Sequence, residues 1–314
     1  MSGSLTDPLP ADLPEAVGVV VTEDDGTRTV RSAWGTVEVP QDPQRIVSVI
    51  GDLDFESMLA LGVVPVAAGT QGGSAASGFA PHLGDLADGV TPLAWSDGAP
   101  VERIAALRPD LIFAPDEETA QQLAAIAPTV PRGSWDPTRW KEDFRYVAQV
   151  LGCEEEGAAR LAVYEDDAAA LRADLAAAVP DVAELTVASP QVGYDHAQIG
   201  VAGRDQLPSQ VFAELGLTLD DLVTEAEDPW EVGLSFERMA ELDADLLFWQ
   251  VRQDETGAPD EEGLALATGN PLYRRLPAVR AGAVTEVPNR PWYFPTILGA
   301  ERILADVRAA LIPG

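Results

Sequence analysis

The chain has 314 residues with 52 acidic and 20 basic side chains, and its formal net charge is −32. A charge of this sign repels phosphate backbones and anionic lipid surfaces, so nucleic acid and membrane surfaces are poor candidate partners. Cys153 is the single cysteine, which excludes an internal disulfide and any multi-cysteine metal site. The length suits two domains of ordinary size, because one core stops growing at about 250 to 300 residues.

The first ordered elements are expected after the N-terminal segment. Residues 1–17 combine prolines and acids with small residues, a composition typical of a flexible tether. The stretch "TRTVRSAWGTVEVP" alternates around Trp34 and Gly35, which predicts a hairpin at the edge of a sheet. "RIVSVI" then predicts a strand, and "DFESMLALG" predicts a helix with Asp54 as its N-cap and Gly62 at its end.

One phrase of the sequence occurs twice. "VERIAALRPDLIFA" (101–114) and "FERMAELDADLLFW" (236–249) are identical at seven of fourteen positions. Each copy shows a short helical pattern and then a continuous apolar run, which predicts a helix followed by a buried strand. Strands that are apolar on both faces and alternate with helices indicate a parallel sheet covered on both sides. The repeat therefore predicts an α/β fold of two Rossmann-like lobes, each with a mostly parallel sheet flanked by helices.

An alanine-rich segment between the two copies predicts one long bridging helix. Its apolar face consists of Leu161, Tyr164, Ala168, Leu171 and Leu175. A helix of about 25 residues extends about 37 Å, which is enough to join two lobes. The predicted organisation is a tether over 1–17, an N-terminal lobe over 18–150, the bridging helix over 151–180 and a C-terminal lobe over 181–314. A ligand cleft is expected between the lobes.

The predicted ligand site lies in loops that follow strands, because ligands of open α/β sheets bind beyond the carboxyl ends of the strands. These loops hold an unusual share of the aromatic residues, with arginines that can fork onto ligand oxygens. Each tryptophan has core packing as its alternative role, and each arginine has neutralisation of nearby acids. The candidate ligand-binding residues are Trp95, Trp135, Arg139, Tyr194, Arg204, Trp230, Trp249, Arg290, Trp292, Tyr293 and Phe294.

The sequence holds little that would support catalysis. His82 and His196 are the only histidines, and they share no ligand spacing with other residues. The motifs HExxH, GxSxG and GxxxxGK[ST] do not occur. "GTQGGSAASG" favours a flexible loop over a phosphate cradle, since no helix pattern follows it. We therefore predict a binding protein with no catalytic residues, no resident metal and no cofactor other than its ligand.

Several stretches together resemble the helix-bridged substrate-binding proteins of ABC importers. They are "GTVEVPQDPQRIVSV", "LALGVVPVA", "VERIAALRPDLIFA", the alanine-rich helix, "LSFERMAELDADLLFW", "NPLYRRLPAVRAG" and "PWYFPTILGAERIL". That family takes up ferric siderophores, haem and cobalamin. The resemblance implies an extracytoplasmic protein at the cell surface or in the periplasm, commonly lipid-anchored, that delivers its ligand to a membrane permease. Its export signal and anchor would precede this chain.

The resemblance also assigns roles to individual residues. In this family each lobe presents a glutamate to arginines of the permease, and the matching positions are Glu102 and Glu237. The alternative is that each acid only stabilises a helix N-terminus. Hydroxamate-siderophore binders of the family carry aromatics at the positions of Trp230, Trp292 and Phe294. Their arginine ahead of the first repeat and their tyrosine after the next strand are replaced here by "SDGAP" and "PDEET", so contacts in the first lobe must come from other residues.

The expected function is capture of a ferric siderophore, which the protein would pass to the permease of an ABC importer. The hydroxamate type is favoured because few basic residues cluster in the candidate loops and the chain is strongly acidic. Haem and cobalamin are alternatives within the family, and haem would need an axial ligand such as Tyr194, His196 or Tyr293. A two-lobed α/β enzyme that uses the same cleft is the alternative from another class.

Overall fold

The structure is a computed structural model that describes most of the chain. The described residues are 18–22, 28–51, 53–70, 78–95, 98–132, 136–254 and 257–312. The chain forms two compact units, Met1–Leu161 (unit 1) and Ala162–Gly314 (unit 2). The boundary between the units lies inside the segment that the sequence predicts to be a bridging helix.

The strands described in unit 1 form two sheets. They are β1 (Val19–Thr22), β2 (Arg28–Ser32), β3 (Gly35–Val39), β4 (Ile46–Ser48), β5 (Ala67–Gly69), β6 (Thr91–Leu93), β7 (Leu111–Ala114) and β8 (Thr129–Pro131). The last five form a parallel sheet in the order β6-β5-β4-β7-β8. The predicted hairpin, β2 and β3, is present, but β1 pairs with the other side of β2. The hairpin and β1 therefore form an antiparallel sheet of their own, in which β3 lies at the edge, as predicted.

Both faces of the parallel sheet of unit 1 are covered by helices. The helices of the described part are α1 (Leu53–Ala60), α2 (Val101–Leu107), α3 (Glu117–Leu123) and α4 (Trp140–Leu151), with 3-10 helices at Pro81–Ala87 and Pro137–Arg139. Successive residues of β7 point to opposite faces, so that Leu111 and Phe113 pack with Tyr146 while Ile112 packs with Ile104. This burial explains why the strand is a continuous apolar run.

The first helix begins two residues earlier than the capping pattern predicts, at Leu53 in place of Phe55. Asp54 lies inside the first turn of α1 and is buried, so its assignment as N-cap was wrong. A side chain can cap only from the residue that precedes the helix, where its own backbone is not helical. Gly62, the predicted end of the helix, follows α1 with a φ of 75°, a conformation that favours glycine.

The long helix predicted from the alanine-rich segment is present as α5 (Glu154–Ala178), which is 25 residues long. It begins in unit 1 and ends in unit 2. All five residues of the predicted apolar face are buried. Near the middle of the helix, the hydroxyl of Tyr164 donates to Oε2 of Glu214 at 2.7 Å. The predicted span of 151–180 is slightly too long, because Leu151 belongs to α4 and Gly152 ends that helix in the left-handed conformation.

Unit 2 is built around β14, which pairs in parallel with strands on both sides. Its described strands are β9 (Thr186–Ala188), β10 (Pro190–Val192), β11 (Ile199–Ala202), β12 (Thr218–Leu219), β13 (Glu231–Leu234), β14 (Leu246–Val251) and β15 (Val284–Pro288). β9 and β10 lie along one side of β14, and β15 lies along the other. β11 pairs antiparallel with β10 and with β13. The predicted α/β class with mostly parallel sheets is confirmed.

The helices of unit 2 cover this sheet. Those described are the end of α5, α6 (Leu207–Glu214), α7 (Asp221–Thr224), α8 (Glu261–Gly269), α9 (Pro277–Ala281), α10 (Asn289–Tyr293) and α11 (Ile297–Leu311), with 3-10 helices at Val182–Glu184, Phe236–Glu241 and Tyr273–Arg275. The helix of the second repeat copy is thus a 3-10 helix, although Met239 and Leu242 are buried as predicted. The strand that follows it, β14, is apolar and buried, as the repeat predicts.

Candidate functional site

Three chain segments leave the parallel strands of unit 2 at the same edge of the sheet. They follow β10, β14 and β15, and β14 pairs with both of the others. The loop after β10 carries Tyr194, and Arg252 follows β14 directly. α10, which follows β15, carries Arg290 and Tyr293. Since the carboxyl ends of parallel strands share one edge, the topology assembles these side chains where ligands of such sheets bind.

Tyr194 and Arg252 form the exposed part of this arrangement. Tyr194 is 80% exposed, and the guanidinium of Arg252 lies over its ring. Burial lowers the pKa of the Arg252 guanidinium, and the positive charge of Arg290 lowers it further. The interactions of Arg252 with Tyr194 and Asp260 oppose this shift. Arg252 and Arg290 thus interact electrostatically beside the ring of Tyr194, and arginines so placed can form bidentate hydrogen bonds with the oxygen atoms of a ligand.

Tyr293 connects this pair to Trp230. The two rings meet edge to face with their centroids 5.9 Å apart, and Phe294 packs against Tyr293 at 5.4 Å. Burial raises the pKa of Tyr293, and its interactions with Tyr194 and Glu231 raise it further. The hydroxyl therefore stays protonated at neutral pH and can donate a hydrogen bond to a ligand. We call the following residues the edge cluster: Tyr194, Trp230, Arg252, Arg290 and Tyr293.

A histidine fastens the loop that carries Tyr194. Nε2 of His196 lies 2.8 Å from Oδ2 of Asp260, whose Oδ1 accepts from the Gly263 amide at 2.9 Å. Burial by itself would raise the pKa of Asp260, but these two contacts hold it below its usual value. The carboxylate is therefore charged at neutral pH and anchors the loop. Nε2 of His196 would have to leave this carboxylate to serve as the axial haem ligand that the sequence left open.

Two tryptophans predicted to contact the ligand lie in the core instead. Trp249 is 1% exposed and packs edge to face with Tyr273, 5.6 Å between centroids. Trp292 is fully buried, stacks on Phe248 at 5.3 Å, and donates from Nε1 to Asp306 at 2.9 Å. Neither ring offers a surface to a ligand, so both assignments are corrected. Trp249 belongs to a strand buried on both faces, and Trp292 points inward from a one-turn helix.

Arg204 has a supporting contact. Its side chain is exposed, and Nη1 donates to the carbonyl of Ala226 at 2.7 Å. Ala226 belongs to the segment that leads to Trp230 and β13. This hydrogen bond holds the segment next to Arg204, and the ligand contact that the sequence predicts for this exposed side chain stays a prediction.

The candidate residues of unit 1 also follow parallel strands. Trp95 comes after β6, is half-buried, and donates from Nε1 to the carbonyl of Thr70 at 2.9 Å. Arg139 ends the 3-10 helix after β8 and is half-buried. Trp135 lies outside the described residues. Among the residues that the structure describes, no group of three or more histidine, cysteine or acidic side chains is placed to hold a metal ion.

Comparison with known proteins identifies the family. The family described as "Periplasmic binding protein" matches residues 47–291, well over half of the chain. The chain belongs to the periplasmic binding protein family. Across the described ranges, every helix of this periplasmic binding protein is too short or too polar to cross a bilayer.

Individual relatives match this chain over most of their own length. The probable siderophore-binding lipoprotein YfiY of Bacillus subtilis is 28% identical over 89% of this chain and 86% of its own. A solved FhuD-fold protein from Bacillus subtilis, described as part of a ferrichrome ABC transporter, has a TM-score of 0.73 at 23% identity and covers 89% of this chain and 98% of its own. FeuA from the same species, solved with ferri-bacillibactin, has a TM-score of 0.71 at 22% identity over 88% and 95%. These structures share the fold of the periplasmic binding protein described here.

Both glutamates predicted to dock on a permease are exposed. Glu102 lies in the first turn of α2, and Glu237 lies in the first turn of the 3-10 helix at Phe236–Glu241. The Glu237 carboxylate accepts hydrogen bonds from the Glu237 backbone amide and from the Ser235 side chain, and these lower its pKa. Its charge is therefore present at neutral pH and faces solvent. A docking role for the two residues in this periplasmic binding protein stays a prediction.

Sequence reasoning missed Arg252 and Glu231. Arg252 opens the acid-rich stretch "RQDETGAPDEEG", whose composition indicates a solvated loop. A usable signal was present, because Arg252 directly follows the apolar run "LLFWQV", the position where this fold binds ligands. Glu231 had no such signal, since its contacts come from residues that are distant in the sequence.

Proposed function

We propose that this periplasmic binding protein captures a ferric siderophore outside the cytoplasmic membrane and delivers it to the permease of an ABC importer. The edge cluster carries the proposal. Its aromatic rings can pack on the carbon framework of a bulky chelate, while its arginines bind the chelate's oxygen atoms.

The relatives support the same ligand class. One is named as a siderophore-binding lipoprotein, one as part of a ferrichrome transporter, and one was solved with ferri-bacillibactin. The name of the first also supports a lipid anchor, which is part of this proposal. A carrier role and not catalysis is the function that this family implies.

The structure bears on the siderophore type. The hydroxamate preference depends on a scarcity of basic residues in the candidate loops, and we retain it as the first proposal. Arg252 and Arg290, however, bring two positive charges to one edge of unit 2. That observation favours a second candidate, a ferric catecholate or carboxylate complex, because anionic chelates need converging basic groups.

A fluorescence titration tests the function and the type together. We expect a ferric siderophore to quench the tryptophan fluorescence of the protein, with ferrioxamine B as the hydroxamate probe and ferri-bacillibactin as the catecholate probe. Trp230→Ala should make the binding free energy of the tighter probe less favourable by about 1 to 3 kcal/mol, because an aromatic contact is lost. Arg252→Ala removes an ionic hydrogen bond and should lower the affinity for an anionic probe by about 1.5 to 3 kcal/mol, and it should lower the affinity for ferrioxamine B less.

The control is Arg238→Ala. Arg238 is exposed and pairs with Glu241 through two hydrogen bonds of 2.8 and 2.7 Å, outside the edge cluster, so its loss should not affect binding of either probe. Tight binding of haem or cobalamin with no quenching by either ferric siderophore would contradict the proposed function. Tight binding of ferri-bacillibactin alone would contradict the hydroxamate type and leave the second candidate.

A further inference from the structure

A chain of hydrogen bonds between polar side chains crosses the sheet of unit 2. Nδ2 of Asn289 donates to Oε1 of Gln191 and to Oε1 of Gln250, both at 2.8 Å. Nε2 of Gln191 donates to Oε2 of Glu231 at 3.2 Å, and Nε2 of Gln250 donates to Oγ of Ser189 at 2.9 Å. The Ser189 hydroxyl in turn donates to the backbone carbonyl of Phe248 at 3.1 Å. We call these five side chains, from Glu231 to Ser189, the polar row.

The polar row is buried, which is unusual for three amides in one sheet. Ser189, Gln191, Gln250 and Asn289 are all buried, and Glu231 is half-buried. Apolar residues of similar volume would fill this space without the cost of removing amides and a carboxylate from water. Burial raises the pKa of Glu231, although the hydrogen bond from Gln191 opposes the shift. Such a network contributes little to net stability, but it holds its members in one geometry.

Each segment of the edge cluster contains a member of the polar row. The pairs, separated by one to three positions, are Glu231 with Trp230, Gln191 with Tyr194, Gln250 with Arg252, and Asn289 with Arg290. The row therefore ties together β10, β13, β14 and α10, the four elements that carry the cluster. The remaining member, Ser189, connects it to the backbone of β14.

A glycine lets the carboxylate join the row. Gly200 lies in β11, the strand between β10, which carries Gln191, and β13, which carries Glu231. It pairs with Gln191 of β10 on one side and with Gly233 of β13 on the other. A Cβ at Gly200 would lie 2.7 Å from Oε2 of Glu231. The absence of a side chain at this position therefore gives Glu231 the space to reach across β11 to Gln191.

We propose that the polar row is a positioning device for the ligand site: it fixes the segments that carry Trp230, Tyr194, Arg252 and Arg290 in the geometry that binds the ligand. The proposal rests on the proposed function of the edge cluster in siderophore binding. Its members act through the cluster and do not touch the ligand. Disturbing the row changes how tightly the chelate is held, because a site that loosens must be ordered again on binding.

Gly200→Ala tests the row without deleting any of its groups. The added methyl displaces the Glu231 carboxylate, a flexible side-chain end, so the fold is retained. We expect affinity for the tighter of ferrioxamine B and ferri-bacillibactin to fall about tenfold, the lower range for loss of supporting contacts around a binding site. The matched control is Gly233→Ala, on the paired strand in the same register, where a Cβ meets its nearest atom, Oε1 of Gln198, at 3.4 Å. This control should bind as the wild type does.

Two substitutions of Glu231 separate positioning from simple packing. Glu231→Gln keeps an oxygen that accepts from Gln191 and should retain wild-type affinity, whereas Glu231→Ala should show the loss seen for Gly200→Ala. All four variants are expected to unfold within a few degrees of the wild-type melting temperature. Equal affinity for Gly200→Ala, Glu231→Ala and the wild type would overturn the proposal, as would an equal loss in the Gly233→Ala control.

A readout without ligand keeps this test distinct from that of the proposed function. The protein is labelled with 5-fluorotryptophan, and the fluorine resonance of Trp230 is identified by its loss in Trp230→Phe. We expect Gly200→Ala and Glu231→Ala to shift or broaden this resonance, and Glu231→Gln and Gly233→Ala to leave it in place. A wild-type protein that binds haem or cobalamin tightly and neither probe would contradict the proposed function alone. An unmoved Trp230 resonance in Gly200→Ala and Glu231→Ala would contradict the positioning role.

Discussion

Replacing Trp292 by alanine is expected to lower the free energy of unfolding by about 3 to 5 kcal/mol, the range for removing a buried aromatic ring. The indole is fully buried between Phe212 and Phe248, with centroids 5.9 and 5.3 Å away. Its Nε1 also donates to Asp306, an acceptor that the substitution would leave without this donor. Urea denaturation followed by far-ultraviolet circular dichroism measures the loss.

Two controls show whether the ring or the ligand site is responsible. Trp292→Phe keeps an aromatic ring beside Phe248, so it should lower the free energy of unfolding clearly less than Trp292→Ala does. Trp230→Ala removes a ring that is only half-buried, so it should affect binding more than stability. Unchanged stability in Trp292→Ala combined with lost siderophore binding would show that the original assignment of Trp292 to the ligand was right.

Reversing the charge of Glu102 or of Glu237 is expected to abolish iron uptake while ligand affinity stays nearly unchanged. Both carboxylates are exposed on helices outside the edge cluster, and removing an exposed charge chiefly alters docking to a partner. The measurement pairs uptake of radioactive iron by cells that depend on Glu102→Arg or Glu237→Arg with fluorescence titration of the purified variants.

The matched controls are Glu118→Arg and Glu262→Arg. Each replaces an exposed acid in the first turn of another helix, α3 in unit 1 and α8 in unit 2. The change in net charge and the effect on a helix N-terminus are therefore the same. If the controls stop uptake as well, the effect comes from overall charge and the docking role is wrong. A loss of ligand binding in Glu102→Arg or Glu237→Arg would also contradict it.

Much of the fold could be predicted because its signals are local. The 3.6-residue spacing of apolar side chains predicted α5 and its buried face, and the apolar runs in the repeat predicted β7 and β14. Helix ends were less accurate, as Asp54 shows, because one residue decides between capping a helix and lying inside it. The strand β1, which pairs with the other side of β2, could not be predicted, since no pattern within the hairpin specifies this partner.

For the ligand site, too, local features could be predicted and contacts between distant segments could not. The sequence by itself determined that aromatic and arginine side chains would follow the strands, because strand ends and loop residues are encoded within a few positions. Only the tertiary structure decided which of them face solvent. Trp230 and Trp292 have similar neighbours in sequence, yet Trp292 is buried because Phe212 of α6 and Phe248 of β14 cover it. The stack of Arg252 on Tyr194 likewise depends on the pairing of β10 with β14, a contact between distant segments that no local pattern contains.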